Sequence, residues 1–225
     1  MFHNILSLIA ENEAHYQRAP RSVSLLAVSK NQSVDKMRSL YNEGQRIFGE
    51  NYLQEALSKM DQLIDCDIEW HFIGPIQSNK TKKIAEHFSW VQSVDSEKIA
   101  KRLNDQRPHS LPSLNICIEV NIDGAPTKSG VSKETVFSLI DYCMSLPHLS
   151  LRGLMAIPEP SVFFETQCES FHAIHELWLT CRDYVSDRTE KFDTLSMGMS
   201  ADFQAAIKEG ATMVRIGTAI FGERG

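Results

Sequence analysis

Ser24-Leu25-Leu26-Ala27-Val28-Ser29-Lys30 is the stretch on which the reading of this chain turns. Six residues of small, apolar and β-branched character read as a buried strand, and a lysine closes it. A lysine is rare at the end of a core strand. Either its stem snorkels out to solvent, or its amine has chemical work there. If the fold is a parallel barrel, the carboxyl ends of the strands build the active site. Lys30 then sits on a pocket floor. Desolvation or a neighbouring cation there favours the neutral amine, and a neutral amine attacks an aldehyde.

Outward from this strand the pattern is regular. Residues 4–17 place Ile5, Leu8 and Ile9 on one face and predict a leading helix. Further strands are expected at 47–50, 70–74, 90–94, 115–120, 151–156, 194–198 and 213–217. Each strand is followed by helical spacing, at 33–44, 52–63, 78–88, 96–104, 132–145, 163–185 and 201–208, then a short turn or helix at 218–222. Ser33, Ser96 and Ser132 are expected as N-caps, and Gly44 as a stop. Eight strand-then-helix units without a linker or composition break predict an α/β fold. The expected architecture is a single-domain (β/α)8 TIM barrel over residues 1–225, with an additional N-terminal helix. An open doubly wound sheet is the alternative. That fold usually carries a glycine-rich first turn, which Lys30-Asn31-Gln32-Ser33 lacks.

Composition narrows the function classes. At 225 residues the length suits one large domain, and the net charge of −6 with no basic stripe argues against nucleic acid. Five cysteines without a CxxC pair imply neither a disulfide frame nor a zinc site. The N-terminus lacks a basic region ahead of an apolar core, and no stretch is apolar enough to span a membrane. A cytoplasmic, reduced protein is expected. His172 and His175, with Glu169 and Glu176 nearby, imitate a metal cluster but read as the wet face of a long helix, so no metal is expected. Trp70 and Trp90 read as barrel packing, and Lys80 and Lys128 as loop lysines at the barrel mouth.

Two segments near the C-terminus look like one device. Ser196-Met197-Gly198-Met199-Ser200 and Arg215-Ile216-Gly217-Thr218 each leave a strand and enter a helix. The loops after the seventh and eighth strands are the recurrent phosphate site of this barrel. Helix-start N–H groups, small residues and the Ser200 and Thr218 hydroxyls suit a phosphate. Helix capping, with Ser200 as N-cap and Asp202 in the first turn, would look the same from sequence.

Lys30, this phosphate grip and Arg215 two residues before Gly217 together point to pyridoxal phosphate. With Phe48-Gly49-Glu50-Asn51-Tyr52, His71-Phe72-Ile73-Gly74-Pro75, Glu119-Val120-Asn121, Lys128-Ser129-Gly130 and Leu195–Asp202, the chain resembles the pyridoxal-phosphate-binding homeostasis proteins. These are relatives of the N-terminal barrel of alanine racemase. The resemblance implies a Schiff base on Lys30, with Asn51 beside the ring hydroxyl and His71 lining the pocket. It also implies Ser200, Gly217 and Thr218 on the phosphate and Arg215 at the pyridine nitrogen. A guanidinium only donates, so the nitrogen it meets is unprotonated and a weak electron sink. Alanine racemase resembles the chain in that feature, but it has a second β-rich domain and takes a tyrosine base from its partner subunit. The expectation is therefore a monomeric carrier in vitamin B6 homeostasis, without strong catalysis and with no catalytic residue assigned. It would serve pyridoxal-phosphate-dependent apo-enzymes. The alternative is a racemase-like enzyme.

Overall fold

Apolar residues recurring on one face of each helical segment, and short runs rich in Val, Ile and Leu between them, order the chain as an alternating series. A computed structural model describes residues 1–125, 128–189 and 191–222. It begins with α1 (Phe2–His15), which buries Phe2, Ile5 and Ile9. The units follow as β1 (Ser24–Val28), α2 (Val34–Asn42), β2 (Ile47–Glu50), α3 (Leu53–Gln62), β3 (Glu69–Phe72) and α4 (Thr81–His87). Next come β4 (Trp90–Val94), α5 (Glu97–Gln106), β5 (Leu114–Val120), α6 (Val136–Met144), β6 (Leu149–Ala156) and α7 (Phe164–Val185). β7 (Thr194–Ser196), α8 (Phe203–Lys208), β8 (Met213–Ile216) and α9 (Thr218–Phe221) complete it. The strands are parallel in sequence order, and β1 pairs β8 with Leu26 opposite Arg215, so the barrel closes. The (β/α)8 barrel with a leading helix is the expected fold, and the doubly wound sheet is excluded.

Two glycines make the closure possible. A Cβ on Gly49 would lie 2.2 Å from Leu26 Cδ2 across β1 and β2. Gly153 has φ +151°, and a Cβ there would lie 1.8 Å from the Thr194 carbonyl oxygen. Its strand shifts register against β5 between Ile116 and Cys117, a bulge that needs a residue without a side chain.

Boundaries differ from the sequence reading where capping differs. Ser33 does cap α2, accepting from Lys36 N. Ser96 holds the N-cap position of α5 as expected, though its hydroxyl bonds Asp95 rather than a helix N–H, and α6 begins at Val136 after a turn at Ser132. β1 ends at Val28, so Lys30 stands in the turn beyond it, ahead of Asn31 at φ 59°.

The sheet's outer face packs under the helices as one apolar cluster that includes Phe48, Phe88 and Phe171. Burying each such side chain contributes about 1.5–3 kcal/mol. The barrel interior holds a second, small cluster of Trp90, Cys117 and Met155. Packing, as expected, is the place of both Trp90 and Trp70. All five cysteines are unbridged. Burial pushes the thiols of Cys117, Cys143 and Cys181 up to about 12, so they are inert at neutral pH. Among the described residues, no helix is long and apolar enough to cross a membrane.

Candidate functional site

The carboxyl ends of β1, β2, β3, β6 and β8 and the loop after β7 enclose a cavity of about 270 Å³. Lys30, Asn51, Ser200, Arg215, Gly217 and Thr218 all border it, with Val28, Ile73 and Ile157 as apolar wall. Strand periodicity explains the convergence: alternate residues of a barrel strand face inward, and the last inward position tops the core. Arg215, Asn51 and Ile73 take such positions at or just past the ends of β8, β2 and β3.

The turn carrying Lys30 is held from behind. Lys59 of α3 is buried and donates from Nζ to the Ser29 carbonyl at 2.6 Å and to Glu50 Oε1 at 2.8 Å. Ser29 Oγ donates to the same Glu50 oxygen at 2.7 Å, and Asn31 N donates to Glu55 Oε1 at 2.6 Å. Both neighbours of Lys30 are thus tied to one ionic cluster. Burial raises the Glu50 carboxyl above the usual range, with Lys59 opposing.

Arg215 is buried below the cavity. Its Nη1 donates to Ser196 Oγ at 2.8 Å and its Nη2 to the Ala156 carbonyl at 3.0 Å. Burial pushes it down to about 10, with Asp202 and Glu119 opposing, so it stays a cation at neutral pH.

In the loop after β7 the N-cap position of α8 does not fall to Ser200. Asp202 is the N-cap of α8, and its Oδ1 accepts from Met199 N at 2.6 Å. Ser200 lies on the cavity wall instead. Gly198, at φ +88°, lets the loop turn where a Cβ would strike Ala206 Cβ at 2.4 Å.

His71 is the one expected pocket residue that does not border the cavity. It is fully buried one inward step below Ile73, stacked on Trp90 with ring centroids 5.0 Å apart. Its two ring nitrogens meet Glu69 Oε1 at 2.9 Å and Gln92 Nε2 at 2.8 Å. The cause is the two-residue strand period: the pocket wall belongs to the next inward residue, Ile73. Burial lowers the His71 pKa against the pull of Glu69, which favours the neutral ring.

Sequence reasoning missed three functional candidates. Lys59 carries no local signal that separates it from other helix lysines, because its partners Ser29 and Glu50 lie on other elements. Gln92 and Ser196 are polar residues at inward positions of apolar strands, and that parity is the signal that could have found them. Glu119 borders an adjoining cavity of about 230 Å³ that shares Asn51, Ile73 and Ile157 with the first. Burial, with Asp95 adding and Arg215 opposing, pushes its carboxyl up to about 7. Lys128 borders the same space and pairs with Asp123 and Glu159. Lys80 borders a third, mostly apolar cavity between α3 and α4. His172 pairs with Glu209 on the surface, and His175 stacks on Trp178.

The site fits pyridoxal phosphate on its own chemistry. Asn51 Oδ1 is buried with no hydrogen-bond partner, as expected of a group facing a polar ligand. A lysine for the aldehyde, hydroxyls for the phosphate and a buried cation for the ring nitrogen border the same space.

The family model for the alanine racemase N-terminal domain matches residues 6–225. The pyridoxal phosphate homeostasis protein of Pseudomonas aeruginosa is 54% identical over 207 residues, covering 92% of this chain and 87% of its own. That of Vibrio alginolyticus is 49% identical over 225 residues, covering 98% and 95%. Among solved structures, PipY of Synechococcus elongatus with PLP bound superposes with a TM-score of 0.83 at 36% identity. The match covers 95% of this chain and all of that one.

Proposed function

The chain belongs to the alanine racemase N-terminal domain family, and we propose that it binds pyridoxal 5′-phosphate on Lys30 for intracellular vitamin B6 homeostasis. It stores the cofactor and delivers it to apo-enzymes, without strong catalysis of its own. The observation that carries this reading is the convergence of Lys30, Arg215, Ser200 and Thr218 on one cavity beside the unpartnered Asn51 Oδ1. The names of the relatives from P. aeruginosa and V. alginolyticus, and the PLP bound by PipY, support it.

Each residue has a distinct part. Lys30 supplies the amine for covalent attachment. Ser200 and Thr218, with the N–H groups around Gly217, bind the phosphate. Asn51 orients the ring edge, and Arg215 faces the pyridine nitrogen. His71 supports the floor rather than the wall. When bound, the cofactor supplies an aldehyde and an electron sink, and an unprotonated nitrogen beside Arg215 keeps that sink weak.

Racemisation also requires a proton to be taken from one face and returned at the other. Among the described residues bordering the cavity, Lys30 and Arg215 are the titratable side chains, and Arg215 holds its proton. That leaves one face of a bound amino acid without a base inside the cavity. A racemase-like reading is favoured by one observation, Glu119 with its carboxyl at about 7 in the adjoining space.

The test reconstitutes purified protein with pyridoxal phosphate and reduces it with borohydride. The labelled peptide should contain Lys30, and Lys30→Ala should lose the visible absorption band. Labelling at Lys80 or Lys128 instead would overturn the site. Incubation with L- and D-alanine in heavy water should show no exchange at enzymatic rates, while an added pyridoxal-phosphate-dependent apo-enzyme gains activity. Rapid racemisation would replace the carrier reading with the enzyme one. A cytoplasmic monomer is part of the same proposal, and sedimentation at micromolar concentration checks the oligomeric state.

A further inference from the structure

A chain of side-chain hydrogen bonds crosses the barrel interior from Arg215 to the opposite mouth. Arg215 Nη1 donates to Ser196 Oγ at 2.8 Å, and Ser196 Oγ donates to Gln92 Oε1 at 2.7 Å. Gln92 Nε2 meets His71 Nδ1 at 2.8 Å, and His71 Nε2 meets Glu69 Oε1 at 2.9 Å. Four strands contribute, β8, β7, β4 and β3. Ser196, Gln92 and His71 are fully buried, and Glu69 is the one half-exposed member, with 44% side-chain exposure at the amino end of β3.

Donor and acceptor inventory gives this chain one direction. A guanidinium has no acceptor, so Ser196 must accept from Arg215 and send its own hydrogen onward. That hydrogen needs an acceptor, which orients the Gln92 amide with its oxygen toward Ser196. The Gln92 nitrogen then faces His71 Nδ1, which must be unprotonated to accept. The remaining ring proton sits on Nε2 and points at Glu69. Glu69 stays anionic because its bond from His71 holds its carboxyl below the usual range, against a smaller effect of burial. The second amide hydrogen of Gln92 reaches Met213 Sδ at 3.1 Å, so no polar atom of this glutamine is left over. A buried network satisfied at every member is rigid, whereas a half-satisfied one is costly.

We infer that Gln92 and His71 are positioning residues that hold the Arg215 guanidinium at the cavity floor through Ser196. The inference rests on the cavity being the pyridoxal phosphate site. There the guanidinium is the donor to the ring nitrogen, and its angle sets how well it stabilises the unprotonated ring. Glu69 terminates the chain and fixes its polarity.

Two substitutions separate positioning from packing. Gln92→Leu removes the acceptor for Ser196 and the donor for His71 while keeping similar volume. Gln92→Glu keeps the acceptor for Ser196 and lets His71 bond it as a donor from Nδ1. In 15N-labelled apo-protein, wild type should show His71 protonated on Nε2 alone, and Arg215 N–H resonances resolved by slow guanidinium rotation. Gln92→Leu should average those Arg215 resonances, raise the pyridoxal phosphate dissociation constant about tenfold and shift the visible band of the loaded protein. Gln92→Glu should restore all three. If Gln92→Leu does not fold, Ser196→Ala makes the same comparison, because it removes the hydroxyl joining Gln92 to Arg215. Unchanged Arg215 resonances and affinity in the folded leucine or alanine variant would overturn the inference. So would equal losses for leucine and glutamate, because the acceptor that glutamate keeps for Ser196 would then confer nothing on Arg215. If wild type takes up no pyridoxal phosphate, the functional reading fails, and the apo-protein spectra still decide whether the network holds Arg215.

Discussion

Removing Lys59 isolates a carboxylate that has nowhere to go. Glu50 is fully buried, and its Oε2 has no hydrogen-bond partner. Its Oε1 is held by Lys59 Nζ at 2.8 Å and Ser29 Oγ at 2.7 Å. Lys59→Met keeps most of the buried stem but leaves the charge with one neutral donor. Breaking a buried ion pair from one side costs roughly 3–5 kcal/mol. In a chain of this length each kcal/mol moves the melting temperature by about 2–4 °C, so a fall of roughly 6–20 °C is expected near pH 7.5.

The pH dependence carries the sign. Burial already raises the folded-state pKa of Glu50 above its unfolded value, and loss of Lys59 raises it further. The folded state then binds the proton more tightly than the unfolded state. The penalty is therefore full above the folded pKa and shrinks as pH falls through it towards the unfolded value of about 4.3. Adding Glu50→Gln to Lys59→Met should remove most of both the penalty and its pH dependence. Urea unfolding across pH, with midpoint and slope reported separately, is the assay. A Lys59→Met loss below about 1 kcal/mol, or one that does not diminish on acidification, would refute the reasoning. Cofactor retention should fall too, because the bond to the Ser29 carbonyl that steadies the Lys30 turn is gone.

Ser200→Ala and Thr218→Val should each weaken pyridoxal phosphate by roughly 1–3 kcal/mol, read by equilibrium dialysis, since each loses a hydrogen bond to a charged group. Gly153→Ala should destabilise strongly, with a loss of folded yield or urea midpoint, because its Cβ would meet the β7 backbone at 1.8 Å. Glu119, at about 7 when folded and about 4.3 when unfolded, takes up its proton more readily in the native state. Stability should therefore decline as pH rises between those values, and Glu119→Gln should flatten that slope in thermal melts. Carboxyl NMR of wild type should find the Glu119 midpoint near neutrality.

Local chemistry carried most of the barrel into the sequence. β-branched runs separated by helical spacing and small caps specify strand and helix within a few residues, and eight uninterrupted units without a glycine-rich first turn favour a closed parallel sheet over an open one. Lys30, Ser200, Arg215, Gly217 and Thr218 could be placed at the mouth from sequence because each lies at the carboxyl end of a strand or in the loop just beyond it, where the topology alone delivers it. Asn51 and His71 came from resemblance. Their fates differ by one inward step of a strand: Asn51 reaches the cavity wall, and His71 stops beneath it under Ile73. Gln92 and Ser196 bond each other although 104 residues separate them, and no local pattern encodes such a pair. Lys59 reaches Ser29 and Glu50 only after α3 folds back onto the ends of β1 and β2. The sequence by itself determined the order of elements and the residues brought to the barrel mouth, because propensity, capping and strand period act over a few residues. Tertiary structure alone decided which polar groups meet inside the barrel, because burial makes each seek a partner and barrel closure decides which strands face one another.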